Sequence, residues 1–223
     1  MKRLILLSSL FILNLSLMSQ DKPTLIYVGD PMCSWCYGFA PELSKSLEVL
    51  DNKVDLELLM GGLRPYNTQT MSELKSFLTH HWEDVSEASG QPFTYGILDD
   101  TSITYDTEPP SRAVIAVRKL NPAKELAFFK GAQSLFYQHN KNMHLVESYK
   151  ELIEQLGLDF EAFKKLYESD EMKNTVRQDF VKSNELGIRG FPSIVLKKGD
   201  EYFLISNGYM KSEAIVKNIN KLL

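Results

Sequence analysis

The sequence contains one pair of cysteines, three positions apart in Cys33-Ser34-Trp35-Cys36, directly behind a short apolar segment. With no third cysteine in the chain, each of them can form an internal disulfide only with the other. Such a bridge would close a very small loop, whereas the stabilisation that a disulfide provides grows with loop length. The spacing therefore indicates reversible thiol chemistry rather than a structural cross-link.

The residues around this pair predict a strand, a helix and a second strand. The apolar, partly β-branched run at 25–28 is typical of a buried strand. Leucines at helical spacing over 43–50 predict a helix that begins near Cys33. Alternating apolar and acidic residues at 54–58 predict the next strand. A unit of this kind forms a parallel strand pair with a crossover helix.

The middle of the sequence shows helical periodicity. Predicted helices follow one another at 71–82, 111–120, 123–139, 145–156, 160–169 and 170–186. The phenylalanines and tyrosines from Phe128 to Tyr137 are expected in the core. Strand patterns return at 193–196 and 202–205, and we expect Ser212 to cap a final helix.

The order of these elements predicts an α/β protein, a thioredoxin fold with a large all-helical insertion. We divide it into an N-terminal βαβ part at 24–64, a helical insert with its return helix at 65–186, and a C-terminal part at 187–223. The insert is too long for a loop. We expect it to pack over the end of the sheet that carries the cysteines.

The N-terminal segment, residues 1–19, has the layout of a secretory signal peptide. Lys2 and Arg3 precede an apolar stretch from Leu4 to Met18, which is short for a membrane span. A buried core helix is the alternative. We expect an exported protein, periplasmic or secreted, without stable membrane insertion. Loss of the two basic residues would change the formal charge from −4 to −6, which predicts no nucleic-acid partner.

A C-x-x-C between a strand and a helix places its first sulfur at the helix N-terminus. Unpaired N–H groups and the helix dipole favour a thiolate there. We expect Cys33 to form a mixed disulfide with a substrate and Cys36, one turn further on, to resolve it. The redox-active pair is then the only cofactor required.

Two other interpretations of the cysteines remain open at this point. They could belong to a zinc site, for which the other soft donors would be His80, His81, His139 and His144. They could also be an inert buried pair. We predict redox chemistry and no metal.

The segment Gly190-Phe191-Pro192-Ser193 lies between the last insert helix and a predicted strand. By itself it would be an ordinary turn. Together with the upstream C-x-x-C it predicts a cis-Pro192 that lies against Cys33. The backbone of Phe191 would then be free to pair with an extended substrate segment. Ser34, Trp35, Phe191 and Pro192 are the predicted substrate-binding residues.

These two segments, the run from Asp30 to Phe39 and Gly190 to Ser193, resemble the DsbA-like branch of the thioredoxin superfamily. The resemblance is nearest to the FrnE-type predicted protein-disulfide isomerases. It implies that Cys33 is the nucleophile, Cys36 the resolving thiol and Pro192 the cis-proline. The buried acid that thioredoxins place six residues before the first cysteine is Tyr27 here. Asp30 is our candidate for proton transfer at Cys36, and turn or capping duty is its alternative.

The predicted function is an exported thiol-disulfide oxidoreductase or isomerase that acts on protein thiols and disulfides and exchanges electrons with an unidentified redox partner. One alternative is a glutathione-dependent isomerase or transferase of small molecules, from a related group that generally lacks a complete C-x-x-C. Another is a non-catalytic adaptor or chaperone. Two further features stay open: Arg112 could form a surface salt bridge or face the active site, and His80-His81-Trp82 could border a substrate groove or be packed in the insert.

Overall fold

Four strands form the sheet at the centre of the molecule. A computed structural model describes residues 22–223 and gives the strands as β1 (Thr24–Gly29), β2 (Asp55–Met60), β3 (Ser193–Lys198) and β4 (Glu201–Asn207). Their order is β2-β1-β3-β4, with β1 and β2 parallel and the other pairs antiparallel. The central strand β1 therefore has both neighbours, and its apolar residues are buried.

Residues 22–223 also form eight α-helices. They are α1 (Ser34–Val49), α2 (Lys75–Ser89), α3 (Glu108–Leu120), α4 (Glu125–Tyr137), α5 (Lys150–Gln155), α6 (Phe160–Tyr167), α7 (Asp170–Glu185) and α8 (Ser212–Asn220). The predicted α/β thioredoxin fold with a helical insertion is confirmed. The boundaries of the three predicted parts stay a prediction, because the insert and the sheet share one apolar core.

The core between the insert and the sheet is rich in aromatic side chains. Phe128, Phe129 and Phe136 are fully buried, as the sequence predicts. The ring of Tyr27 on β1 meets that of Phe129 edge to face, with centroids 5.8 Å apart. Burial of these aromatic rings packs α4 against the face of the sheet on which the Tyr27 side chain lies.

One capping prediction is wrong. Ser169 and Asp159 cap α7 and α6 through their side chains, but Lys211, not Ser212, is the N-cap of α8. The main-chain N–H of Ser212 donates to Glu42 Oε2 of α1 at 2.8 Å. A carboxylate from a distant helix thus satisfies the first free donor of α8, and Ser212 is the first residue inside the helix.

Side chains of the insert cover β2, an edge strand. Arg118 donates to the carbonyl oxygen of Leu58 at 2.7 Å, and Asp179 accepts from the main-chain N–H of Met60 at 3.0 Å. Arg118 also pairs with Asp179 at 2.9 Å and with Glu125 at 2.7 Å. This ionic cluster satisfies edge groups that would otherwise be open to another strand, and it anchors α3, α4 and α7 to the sheet.

The predicted signal peptide at 1–19 lies outside the described residues. Over residues 22–223, no helix is both long enough and apolar enough to cross a membrane.

Substitution of Glu125 by Gln should remove part of the pH dependence of stability. Burial raises the pKa of Glu125 to about 7 although Arg118 opposes the shift. A raised pKa in the folded state gives stability that is complete below the unfolded pKa and is lost as the pH rises through 7. We expect the wild type to lose about 1–3 kcal/mol more than Glu125→Gln between pH 4.5 and 8, measured by urea unfolding. An equal loss in both proteins would contradict this assignment.

Candidate active site

Cys33 lies in the segment that connects β1 to α1. It is the N-cap residue of α1, with extended backbone angles, and its N–H donates to the carbonyl oxygen of Asp30 at 3.1 Å. The N–H of Tyr37 donates to the carbonyl oxygen of Cys33 at 3.0 Å. The predicted position of the first sulfur at a helix start, where the N–H groups of the first turn lack helical partners, is confirmed.

The two thiols, both free, differ in access. Cys36 is fully buried, whereas Cys33 is 5% exposed and reaches solvent through a cleft of about 150 Å³. We call this opening the Cys33 cleft. It is lined by Cys33, Ser34, Trp35, Leu63, Arg64, Phe77, Leu78, His81, Tyr105 and Phe191. A partner can therefore reach Cys33 but not Cys36.

The predicted proline loop lies against Cys33. The peptide bond between Phe191 and Pro192 is cis, as predicted, and the Cys33 Sγ lies 3.7 Å from the carbonyl oxygen of Phe191. The ring of Phe191 packs over Gly61, just after β2. Two segments that are 158 residues apart thus meet at one sulfur.

Trp35 forms part of an aromatic wall of the cleft. Its ring centroid lies 6.2 Å from that of His81 and 5.7 Å from that of Tyr209. Ser34 is buried at the floor of the cleft. The predicted contact residues Ser34, Trp35 and Phe191 therefore line one opening, and their role in substrate binding stays a prediction.

Asp30 is a fully buried carboxyl group close to the cysteines. Its Oδ1 accepts from the N–H of Met32 at 2.9 Å, and its Oδ2 accepts from the N–H of Leu63 at 2.8 Å. Burial raises the pKa of Asp30 to about 6, although these hydrogen bonds oppose the shift. Asp30 therefore performs turn duty and can also exchange a proton near neutral pH.

Tyr27 is a residue of the site that sequence reasoning did not assign. Its buried hydroxyl faces the Cys36 thiol and has no nitrogen or oxygen partner within residues 22–223. Burial is the main reason why the pKa values of Tyr27 and Cys36 are raised, and for Cys36 the hydrogen bond and charge of Cys33 add to the effect. The alternation along β1 could have predicted that Tyr27 lies on the same side of the sheet as the cysteines. It could not have predicted that the Tyr27 hydroxyl lies close to the Cys36 sulfur.

Arg112 lies neither on the surface nor at the cysteines. It pairs with Glu108 at 2.9 Å, both side chains being nearly buried, and stacks 4.3 Å over the ring centroid of Tyr167. The expected salt bridge exists, but it stabilises the interior of the insert.

The three residues His80, His81 and Trp82 divide between two environments. His81 lines the Cys33 cleft, His80 is exposed beside Glu83, and Trp82 is fully buried. No group of three or more His, Cys, Asp or Glu side chains in the described part of the chain is placed to hold a metal ion.

Comparison with known proteins agrees with this geometry. A family model described as thioredoxin matches residues 26–217. A candidate protein disulfide isomerase from Nitrosomonas europaea is 34% identical with a TM-score of 0.83, and the match covers 90% of this chain and 97% of that one. The cytosolic disulfide reductase DsbM from Pseudomonas aeruginosa is 28% identical with a TM-score of 0.71, covering 89% and 98%. A search of curated proteins found no match.

The fold and the paired thiols define a thioredoxin-fold thiol oxidoreductase. Both the family match and the 34% identity extend over most of the chain. The chain belongs to the thioredoxin family, in agreement with its resemblance to the DsbA-like branch of that superfamily.

Gly61→Ala should disturb the proline loop. A Cβ at Gly61 would lie 2.1 Å from Cε1 of Phe191, so the ring must move. We expect a loss of about 1–3 kcal/mol in unfolding free energy, measured with denaturant, and slower thiol exchange. Gly96→Ala is the matched control, because its Cβ would meet nothing closer than 3.4 Å. Equal stability of the two variants would contradict the contact.

Proposed function

We propose that this protein exchanges disulfides with protein substrates through the Cys33–Cys36 pair, as an exported oxidoreductase or isomerase. The observation that carries the proposal is the position of the Cys33 sulfur. It lies at a helix start, 3.7 Å from the Phe191 carbonyl oxygen, at the floor of a cleft with apolar and aromatic walls. A helix start supports a thiolate, and the open cleft admits a partner.

The exchange follows from the unequal access of the two sulfurs. In the reducing direction, the Cys33 thiolate attacks a substrate disulfide, forms a mixed disulfide and releases one substrate thiol. The Cys36 thiolate then attacks Cys33 Sγ, which forms the internal disulfide and releases the second substrate thiol. The protein loses two electrons and the substrate gains them. The oxidising direction is the reverse, and a redox partner restores the starting state.

Asp30 is the proton acceptor that we assign to Cys36. The thiol is fully buried and its pKa is raised, so a base within the protein must remove its proton before it attacks. Asp30 is close enough to influence the pKa of Cys36, and its own pKa of about 6 leaves it mainly a carboxylate at neutral pH. Tyr27 stays protonated and can only donate.

Phe191 supplies the backbone for an extended substrate. Its carbonyl oxygen faces Cys33, just before β3 begins, so a substrate strand could pair there while its sulfur meets Cys33. Ser34 and Trp35 would contact the residues on either side of the substrate cysteine.

A glutathione-linked reductase is the second candidate. The Pseudomonas DsbM, 27% identical in its structure with GSH, is named a cytosolic disulfide reductase. The two candidates differ in location and direction, and the signal-like segment at 1–19 favours export. The N-terminus of the mature protein and the in vivo redox state of Cys33 and Cys36 would separate them. A processed, mainly oxidised protein would support disulfide donation, whereas an unprocessed dithiol protein would support the reductase.

Cys36→Ser should trap substrates. Without the buried thiol the mixed disulfide on Cys33 cannot be resolved internally, so protein adducts should accumulate. They are measured as bands on non-reducing gels that disappear on addition of dithiothreitol. Cys33→Ser is the control and should form none. Binding of the same proteins by Cys33→Ser would support an adaptor and contradict the exchange mechanism.

Asp30→Asn should slow the resolving step more than the first attack by Cys33, because the amide keeps one acceptor for the backbone N–H groups but cannot take up a proton. In the wild type we expect the decay rate of a mixed disulfide to rise with pH through about 6 as Asp30 becomes a carboxylate. The variant should lose that rise and be at least about tenfold slower at pH 7, measured by rapid quench. The rate of the first attack by Cys33 serves as the internal control. A wild-type pH profile in Asp30→Asn would refute the assignment.

A further inference from the structure

Arg64 is a cation beside the nucleophile to which the exchange mechanism assigns no role. It follows β2 by four residues, and its main-chain N–H is held by Thr107 Oγ1 at 3.1 Å. The guanidinium lies 5.6 Å from the ring centroid of Tyr105, and the side chain lines the Cys33 cleft. The backbone and the ring together hold the guanidinium at the cleft.

The charge of Arg64 has no carboxylate partner within residues 22–223. Arg112 and Arg118 each pair with glutamate, whereas the side chain of Arg64 makes only a 3.4 Å contact with the amide oxygen of Gln69. None of the residues that line the Cys33 cleft carries a carboxylate. Arg64 therefore places a positive charge on the lining of this opening, although the protein as a whole is acidic.

Apolar side chains flank the same opening. Phe77 is 56% exposed and stacks on His81 with ring centroids 5.6 Å apart, and Leu63 is 37% exposed. The cleft itself holds only about 150 Å³. A partner must leave most of its volume outside, over Phe77 and Leu63.

We propose that Arg64 binds a carboxylate side chain of the protein substrate, within one or two residues of the reacting cysteine, while an apolar residue of the same segment covers Phe77. This proposal rests on the proposed exchange function and adds a substrate preference to it. The planar guanidinium suits a carboxylate through paired hydrogen bonds. Because the net charge of the protein repels acidic partners at long range, the preference is a short-range one.

A protein segment fits this surface better than glutathione does. Glutathione carries carboxylates but has no apolar side chain to cover Phe77 and Leu63. Both ligands would use the same charge on Arg64, so the experiment must test a peptide and glutathione separately.

Two synthetic peptides test the preference. Each has one cysteine activated as a neutral 2-pyridyl disulfide, next to Glu in one peptide and to Gln in the other. Cys33 attacks the peptide sulfur and releases pyridine-2-thione, and Cys36 then releases the peptide thiol, so the protein is oxidised as the mixed disulfide is reduced. We expect the wild type to react about three- to fivefold faster with the Glu peptide at low salt, measured by thione absorbance. Arg64→Gln should give a ratio near one.

Matched variants separate this proposal from the exchange function. Lys53→Gln makes the same charge change at the opposite end of the sheet and should keep the wild-type ratio. Arg64→Lys keeps the charge without the planar guanidinium group and should retain part of the preference for the Glu peptide. The readout for Arg64→Gln is the ratio of its rates with the two peptides rather than either rate alone, whereas failure of the wild type with both peptides would refute the exchange function. An unchanged ratio in Arg64→Gln, or a loss seen only with oxidised glutathione, would overturn the proposal.

Discussion

The site depends on one buried carboxyl group, Asp30. Its two oxygens hold the N–H of Met32 in the turn before Cys33 and the N–H of Leu63 in the segment after β2. The turn sets where α1 begins and therefore where the Cys33 sulfur lies, and the segment carries Arg64 to the cleft. Burial has a chemical consequence as well, because it brings the pKa of Asp30 to about 6. The same side chain thus fixes the local geometry and is the proton acceptor in the proposed mechanism.

The apolar surroundings that bury Asp30 also make the two thiols chemically different. Cys36 lies among apolar side chains with the hydroxyl of Tyr27, so its charged form is disfavoured in the resting dithiol. Cys33 lies at the free end of a helix and borders the cleft. A partner therefore meets the Cys33 sulfur at the start of the helix, whereas burial disfavours the charged form of Cys36.

The walls of the Cys33 cleft come from different parts of the chain. The strand β1 and the helix α1 supply Asp30 and both cysteines, whereas the insert supplies Phe77 and His81 on α2. The insert can serve as a wall only if it is fixed to the sheet, and the Arg118 cluster on the edge of β2 provides that attachment. Changes to the insert could therefore alter which substrates are selected while the thiol chemistry is kept.

Local patterns predicted the parts of the structure that neighbouring residues determine. The Cys33 position and the order of strands follow from periodicity and spacing, and the cis-Pro192 from its segment taken together with the upstream cysteines. Ser212 was misassigned, and the burial of the Arg112 salt bridge was missed, because their partners, Glu42 of α1 and Tyr167 of α6, are decided by packing between distant helices. Arg64 was not identified from the sequence for the same reason, since only the folded chain shows that no carboxylate pairs with it. What sequence alone cannot supply here is the set of charges left without partners, and in this cleft the proposed substrate preference rests on one of them, Arg64.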